Sequence, residues 1–262
     1  MIDFHNHILP NVDDGSKTID ESISMLEYAA NQGITDVVNT VHFQHPKMDK
    51  KNTEYSFLKD QLEKLQLELD KREINIKLHL SAEVFYLPNL VDILDNKFLT
   101  IGNNKYMLIE FATNIFPIGY EKVLFELQLK GVTPIIAHPE RYRFIQNNLE
   151  ELQKWISKDY ILQLDAGSVL GLFGKKTQEI SYRIINDYGI HIIGSDAHNN
   201  KKRNFCLLDA YNCLEKIYTV NLVNQLKENA ESLLLGKKIE IIQAQKNKQK
   251  NSLLDIIKGK FR

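Results

Sequence analysis

The chain of 262 residues carries 33 Lys and Arg against 34 Asp and Glu, a formal net charge of −1. That balance excludes a general nucleic-acid binder, which needs a basic excess. A composition of 43% hydrophobic and 26% charged residues excludes wholesale disorder, and the length fits one large globular domain or two small ones.

In chain order, Met1-Ile2-Asp3-Phe4-His5 lacks the basic start and apolar core of a signal peptide. Strands are predicted at 2–4, 35–41, 74–81, 106–109, 133–137, 160–164 and 189–194, most of them β-branched and nearly continuous in apolar residues, as buried parallel strands are. Thr18 and Glu21 form a capping-box signal ahead of Ile23, Met25, Leu26 and Ala29, with Gly33 as the stop. Tyr55, Leu58, Leu62, Leu65 and Leu69 set one apolar stripe on a long helix. Alternating β and α implies an α/β fold with a parallel sheet, and the pattern fits a closed barrel or an open doubly wound sheet equally well. The two cysteines, Cys206 and Cys213, are seven apart in one predicted helix and make no disulfide framework, so a reducing cytoplasm is expected. No apolar run reaches the roughly 20 residues of a membrane span. Residues 1–242 read as one domain. Residues 243–262 carry a net charge of +5 among Leu253, Leu254, Ile256, Ile257 and Phe261. They read as a basic amphipathic tail, either solvated or contacting a partner or membrane surface.

Chemistry-bearing residues fall at strand ends. His5-Asn6-His7 follows the first strand, and residues i and i+2 of an extended chain share a face, so both imidazoles can meet one metal. The later strands lead into His42, Glu83, Glu110, His138, and Asp196 with His198, five of the eight histidines lying in this set. Carboxyl ends of parallel strands form the active face of α/β barrels, and burying Glu110 or Asp196 beside apolar strands costs several kcal/mol unless a cation compensates. Asp14, in a turn after strand one, joins as the loop folds back. His79 and His191 read as packing residues inside strands, and His45, before Pro46, as a loop residue within reach of a substrate only.

His5, His7, Asp14, His42, Glu83, Glu110, His138, Asp196 and His198 form an N/O donor set suited to Mn, Fe or Zn. They are too many for one ion. Three divalent ions against four carboxylates leave about +2, which attracts an anion such as phosphate. Arg141 and Arg203, close in sequence to His138 and His198, supply forks for phosphate oxygens. Neither cysteine begins a C-x5-R loop. The stretch 167–176 only superficially resembles a phosphate-binding loop, with Val169 at its first glycine position and Lys176 at its Ser/Thr position. No G-x-S-x-G elbow is present.

His5-x-His7, Asp13-Asp14-Gly15, His42, Glu83, Glu110, His138-Pro139-Glu140-Arg141 and Ser195-Asp196-Ala197-His198 with Arg203 resemble the polymerase-and-histidinol-phosphatase (PHP) superfamily. More closely, they are similar to its bacterial tyrosine-phosphatase branch, the capsule and exopolysaccharide regulators, over roughly residues 1–240. The resemblance implies a single-domain, distorted (β/α)7 TIM-like barrel and a manganese-dependent, cytoplasmic protein-tyrosine phosphatase. It implies two or three ions, with Fe, Zn or Mg as the other candidates. By position, His5, His7, Glu83 and Asp196 hold one ion. Glu83 bridges to a second, held also by Glu110 and His138, and Asp14, His42 and His198 hold a third. Arg141 and Arg203 grip the phosphate and, with Asp196 and His198, make up the catalytic set. The implied partner is a phosphotyrosine protein, an autophosphorylating bacterial tyrosine kinase. The rival readings are a histidinol-phosphate or other small-molecule phosphatase, an amidohydrolase-type metal hydrolase, and a PHP-like module with a structural role.

Overall fold

The structure, a computed structural model, describes residues 1–48 and 54–244. The element order is β1 (Ile2–Asp3), α1 (Ile19–Asn31), β2 (Asp36–Phe43), α2 (Tyr55–Lys71), β3 (Lys77–Phe85), β4 (Tyr106–Glu110), α3 (Tyr120–Leu129), β5 (Thr133–Ala137), α4 (Arg143–Asn147), α5 (Glu150–Ser157), β6 (Ile161–Asp165), α6 (Ala166–Leu170), α7 (Lys175–Asp187), β7 (Ile192–Gly194), α8 (Leu207–Ile217) and α9 (Val220–Leu234). The tail expected at 243–262 lies, beyond residue 244, outside the described residues. Among the described residues, no helix is long and apolar enough to cross a membrane.

The seven strands pair in chain order, β1 to β7, every pair parallel. What the hydropathy pattern left open is decided at the rim. A parallel bridge joins Asn6 to Ala197, the amide of Asp196 donates to the His5 carbonyl at 2.7 Å, and that of His7 to the Ala197 carbonyl at 2.8 Å. The sheet thereby closes into a seven-stranded TIM-like barrel. Asp3 ties the same seam from below. Its Oδ1 accepts from the His5 amide (3.1 Å) and its Oδ2 from the Ser195 amide (3.1 Å) and hydroxyl (2.5 Å).

Side chains alternate across each strand, and this divides the core in two. Ile2, Phe4, Val38, Tyr106, Leu108, Ile135, Ala137, Ile161 and Ile192 fill the lumen. Val37, Val41, Met107, Ile109, Ile136, Leu162, Leu164 and Ile193 point outward into the layer formed with the helices. Register then positions the polar residues. One row across the strands runs His42, Glu83, Leu108, Ile135, Ile161. Because Leu108, Ile135 and Ile161 face the lumen, so do His42 and Glu83. Strand β3 runs to Phe85, four residues beyond the predicted end, so Glu83 sits within a strand rather than after one. Its charge interrupts the apolar run that the sequence reading used to end the strand.

The helix signals are realised at α1. The Thr18 hydroxyl accepts from the Glu21 amide at 3.1 Å, and Gly33 follows the helix with φ +81°. In α2, Leu58, Leu65 and Leu69 are buried, whereas Tyr55 is exposed.

His191, expected inside a strand, lies just before β7, where its buried Nδ1 accepts from the Leu162 amide at 3.1 Å. Burial pulls this imidazole down to about 4. Below its ordinary pKa near 6.5 the unfolded chain takes up a proton that the folded chain refuses, so the stabilisation is present above about pH 6.5 and lost as the pH falls towards 4. In urea unfolding, the wild type is expected to lose about 2 kcal/mol more than His191→Gln between pH 7 and pH 5. Equal losses would contradict this reading.

Candidate metal centre

All nine predicted ligand candidates gather at the carboxyl-end rim of the barrel. The donors form four overlapping sets, the atoms within each lying within 4.8 Å of one another: His7, Asp14, His42 and His198; His5, His7 and Asp196; His5, Glu83 and His138; and His42, Glu83 and Glu110.

Glu83 is central. Its Oε1 is 3.2 Å from His5 Nε2 and 3.0 Å from His138 Nε2. Its Oε2 is 3.1 Å from His42 Nδ1 and 3.5 Å from His7 Nε2. Asp196 divides its two oxygens. Oδ1 lies 3.4 Å from His5 Nε2, His7 Nε2 and His198 Nδ1, while Oδ2 accepts from Arg141 Nη1 and Arg203 Nη2, both at 2.5 Å. Asp14 reaches in from the turn after β1, its Oδ1 3.3 Å from both His42 Nε2 and His198 Nε2. Glu110 is placed less symmetrically than expected, nearer His45 Nε2 (3.6 Å) and His42 Nδ1 (3.9 Å) than His138 Nε2 (4.0 Å). His45, read as apart from the cluster, is therefore at its edge.

The imidazoles are held from behind. His5 Nδ1 bonds Gln163 Oε1 at 3.1 Å, and His7 Nδ1 bonds Asp13 Oδ2 at 2.8 Å, which leaves both Nε2 atoms facing the cluster. His138 packs its ring on Tyr142, 5.6 Å between centroids, and Tyr142 OH accepts from the Phe111 amide at 2.9 Å. His138 (φ +32°) and Asp196 (φ +47°) both sit in left-handed backbone. For a non-glycine residue this costs on the order of 1–3 kcal/mol and persists where surrounding structure imposes it.

Sequence reasoning missed several of these supports. Asp13 orients His7, whereas only its neighbour Asp14 was singled out. Asp165 ends β6 as a buried carboxylate 3.3 Å from Arg141 Nη1, and Glu140 Oε1 accepts from the Asp165 amide at 3.0 Å. The signal for Asp165 was present, since it follows an apolar strand just as Glu110 does. Phe173 had none.

A divalent cation fits the donor set. His5 Nε2, His7 Nε2, His42 Nδ1 and Glu110 Oε2 face the cluster and are buried without a hydrogen-bond partner among the described residues, which is costly unless something else satisfies them. The charge pattern agrees. Burial, then the neighbouring Glu83 and Asp196, push Glu110 up to about 9. Burial, then Asp196, push Asp165 up to about 8. Burial also opposes charge on Glu83 and Asp196, yet the surrounding histidines hold both well below the usual carboxylate range. Nitrogen and carboxylate oxygen without thiolate suit Mn, Fe or Zn.

Residues 1–235 match the family model described as capsular polysaccharide synthesis, CpsB/CapC. The chain is 38% identical over 240 residues to the tyrosine-protein phosphatase YwqE of Bacillus subtilis, covering 91% of this chain and 93% of that protein. It is 30% identical over 246 residues to the tyrosine-protein phosphatase CpsB of Streptococcus agalactiae, covering 89% and 98%. Among solved structures it is similar, with a TM-score of 0.87 and 35% identity over 95% of this chain and 100% of the other, to a chain from the crystal structures of YwqE from Bacillus subtilis and CpsB from Streptococcus pneumoniae, titled as unique metal-dependent tyrosine phosphatases. With a family model spanning nearly the whole barrel, the chain belongs to the CpsB/CapC family of capsular polysaccharide synthesis.

Proposed function

We propose that the chain is a metal-dependent protein-tyrosine phosphatase. In finer detail, its ions are manganese and its substrate is an autophosphorylating bacterial tyrosine kinase of capsule or exopolysaccharide synthesis. The observation that carries the reading is the division of Asp196, with imidazoles on one oxygen and two guanidiniums on the other. It sets a cation-binding cluster directly beside an anion-binding fork.

His5, His7, Glu83 and Asp196 would hold one ion, Glu83 with Glu110 and His138 a second, and Asp14, His42 and His198 a third. Bound divalent ions supply Lewis-acid charge and bring the pKa of coordinated water towards neutrality. The chain's own residues do the positioning. Arg141 and Arg203 are directed to one point beside the cluster, where their guanidiniums can grip the equatorial oxygens of a phosphoryl group. Arg203 Nε is buried without a hydrogen-bond partner among the described residues, a donor left for such an anion. Phenol has a pKa near 10, so a phosphotyrosine ester departs with less protonation than an alkyl phosphate.

The test compares catalytic efficiency on a phosphotyrosine peptide and on histidinol phosphate with manganese present. The peptide is expected to be hydrolysed at least about tenfold more efficiently, a difference of about 1.4 kcal/mol in transition-state stabilisation. The reverse ratio would overturn the substrate class, and failure to hydrolyse either would overturn the phosphatase reading.

A further inference from the structure

We infer that Phe173 is a positioning residue for the phosphate-gripping arginines, an inference that rests on the phosphatase reading. Its ring lies under both guanidiniums, 4.8 Å from its centroid to Arg141 Cζ and 5.6 Å to Arg203 Cζ. The two cations come from different parts of the chain, one from the turn after β5 and the other from the loop after β7. Both reach Asp196 Oδ2 and this aromatic face. The face of a phenyl ring carries partial negative charge and attracts a guanidinium stacked on it. Phe173 can therefore hold two like charges side by side without placing a competing anion in the fork.

The position of the ring is itself fixed. Phe173 lies in the short connection between α6 and α7. There the Leu172 amide donates to the Gly167 carbonyl at 2.8 Å and the Gly174 amide to the Gly171 carbonyl at 3.1 Å. Gly171 takes φ +84° and Gly174 φ +92°. The ring edge occupies the space over Gly167, where an added Cβ would come within 2.8 Å of Phe173 Cε2. Gly167 is tied in turn to the site, its amide donating to Asp165 Oδ1 at 2.7 Å, while Asp165 Oδ2 accepts from Arg141 at 3.3 Å. The glycine-rich stretch 167–176, which fails as a phosphate loop, thus builds a platform under the arginines instead of contacting phosphate through its own amides.

The role separates two demands on Asp196. The Asp196 carboxylate that holds both guanidiniums also faces three imidazoles, so its charge would be shared with any cation bound there. The ring provides an anchor that is indifferent to that sharing.

The experiment uses the full-length, manganese-loaded protein and inorganic phosphate as the probe. Phe173→Leu keeps apolar volume and removes the aromatic face. Phe173→Tyr keeps both. Phosphate inhibition constants, KM and kcat on a phosphotyrosine peptide, bound metal and thermal midpoint are measured for each. Phe173→Leu is expected to raise the phosphate inhibition constant and KM about tenfold, with bound metal unchanged, and Phe173→Tyr is expected to restore both. An unchanged phosphate constant in Phe173→Leu, with an active wild type, would overturn this inference alone. A loss equal in both variants that follows a lowered thermal midpoint would overturn it in favour of simple packing. A wild type neither active on the peptide nor inhibited by phosphate would overturn the phosphatase reading itself.

Discussion

Replacing Glu83 by Gln is expected to lower turnover of a phosphotyrosine peptide by roughly a thousandfold while leaving the barrel folded. Glu83 touches four imidazoles, those of His5, His7, His42 and His138. It is buried and, by register, stands on the apolar row made by Leu108, Ile135 and Ile161. Gln preserves the shape and one carbonyl oxygen but removes the charge that links the donor sets. The substitution tests the charge rather than the volume, which keeps a cavity cost of the kind that follows large-to-small changes out of the comparison. Circular dichroism with a p-nitrophenyl phosphate assay checks it. A folded Glu83→Gln protein with wild-type turnover would remove Glu83 from the centre of the site.

Gly15→Ala is expected to cost activity on the same scale, although residue 15 contributes no side chain to the cluster. A Cβ at residue 15 would lie 2.1 Å from the His7 carbonyl oxygen and 2.5 Å from His7 Cβ. Neither neighbour can yield. The His7 carbonyl accepts from the Ser16 amide at 3.0 Å, and the His7 amide closes the barrel through Ala197. The turn must therefore lift away from the strand, carrying Asp13 off His7 Nδ1 and Asp14 off His42 and His198. Displacing a catalytic group by about 1 Å is enough for a hundredfold loss, and here two carboxylates move. Steady-state kinetics with metal analysis read the effect. Wild-type kcat and metal content in Gly15→Ala would show that the turn tolerates the shift and that Asp14 is not held as described.

The legibility of this chain follows its physics. The strands themselves were readable because β-branched, two-sided apolar runs alternate with helical stripes, the consequence of a sheet covered on both faces. Their order and closure came only through the PHP resemblance, because closure depends on backbone bonds around Asn6 and Ala197 that any residue type could make. Eight of the nine donor residues stood out as His and acids at strand ends, and Asp14 as an acid in the turn that folds back after the first strand. Their supports were harder to see. Asp13 is indistinguishable in composition from Asp14, and only the fold shows which one holds the His7 ring from behind and which faces the His42 and His198 rings. Gln163 sits in mid-strand where an amide looks like a packing residue, until His5 is seen bonded to it. The left-handed backbone at His138 and Asp196 has no sequence signature, since neither is glycine. Phe173 could not be assigned at all without the two guanidiniums that meet over it.

Elemental analysis of the protein, purified and reloaded with manganese, shows whether the barrel rim holds a cluster of divalent ions. About two to three equivalents of divalent metal per chain are expected, with phosphotyrosine hydrolysis lost on chelation and regained with the metal. Less than about one equivalent after reloading, together with full hydrolysis in the presence of chelator, would contradict it.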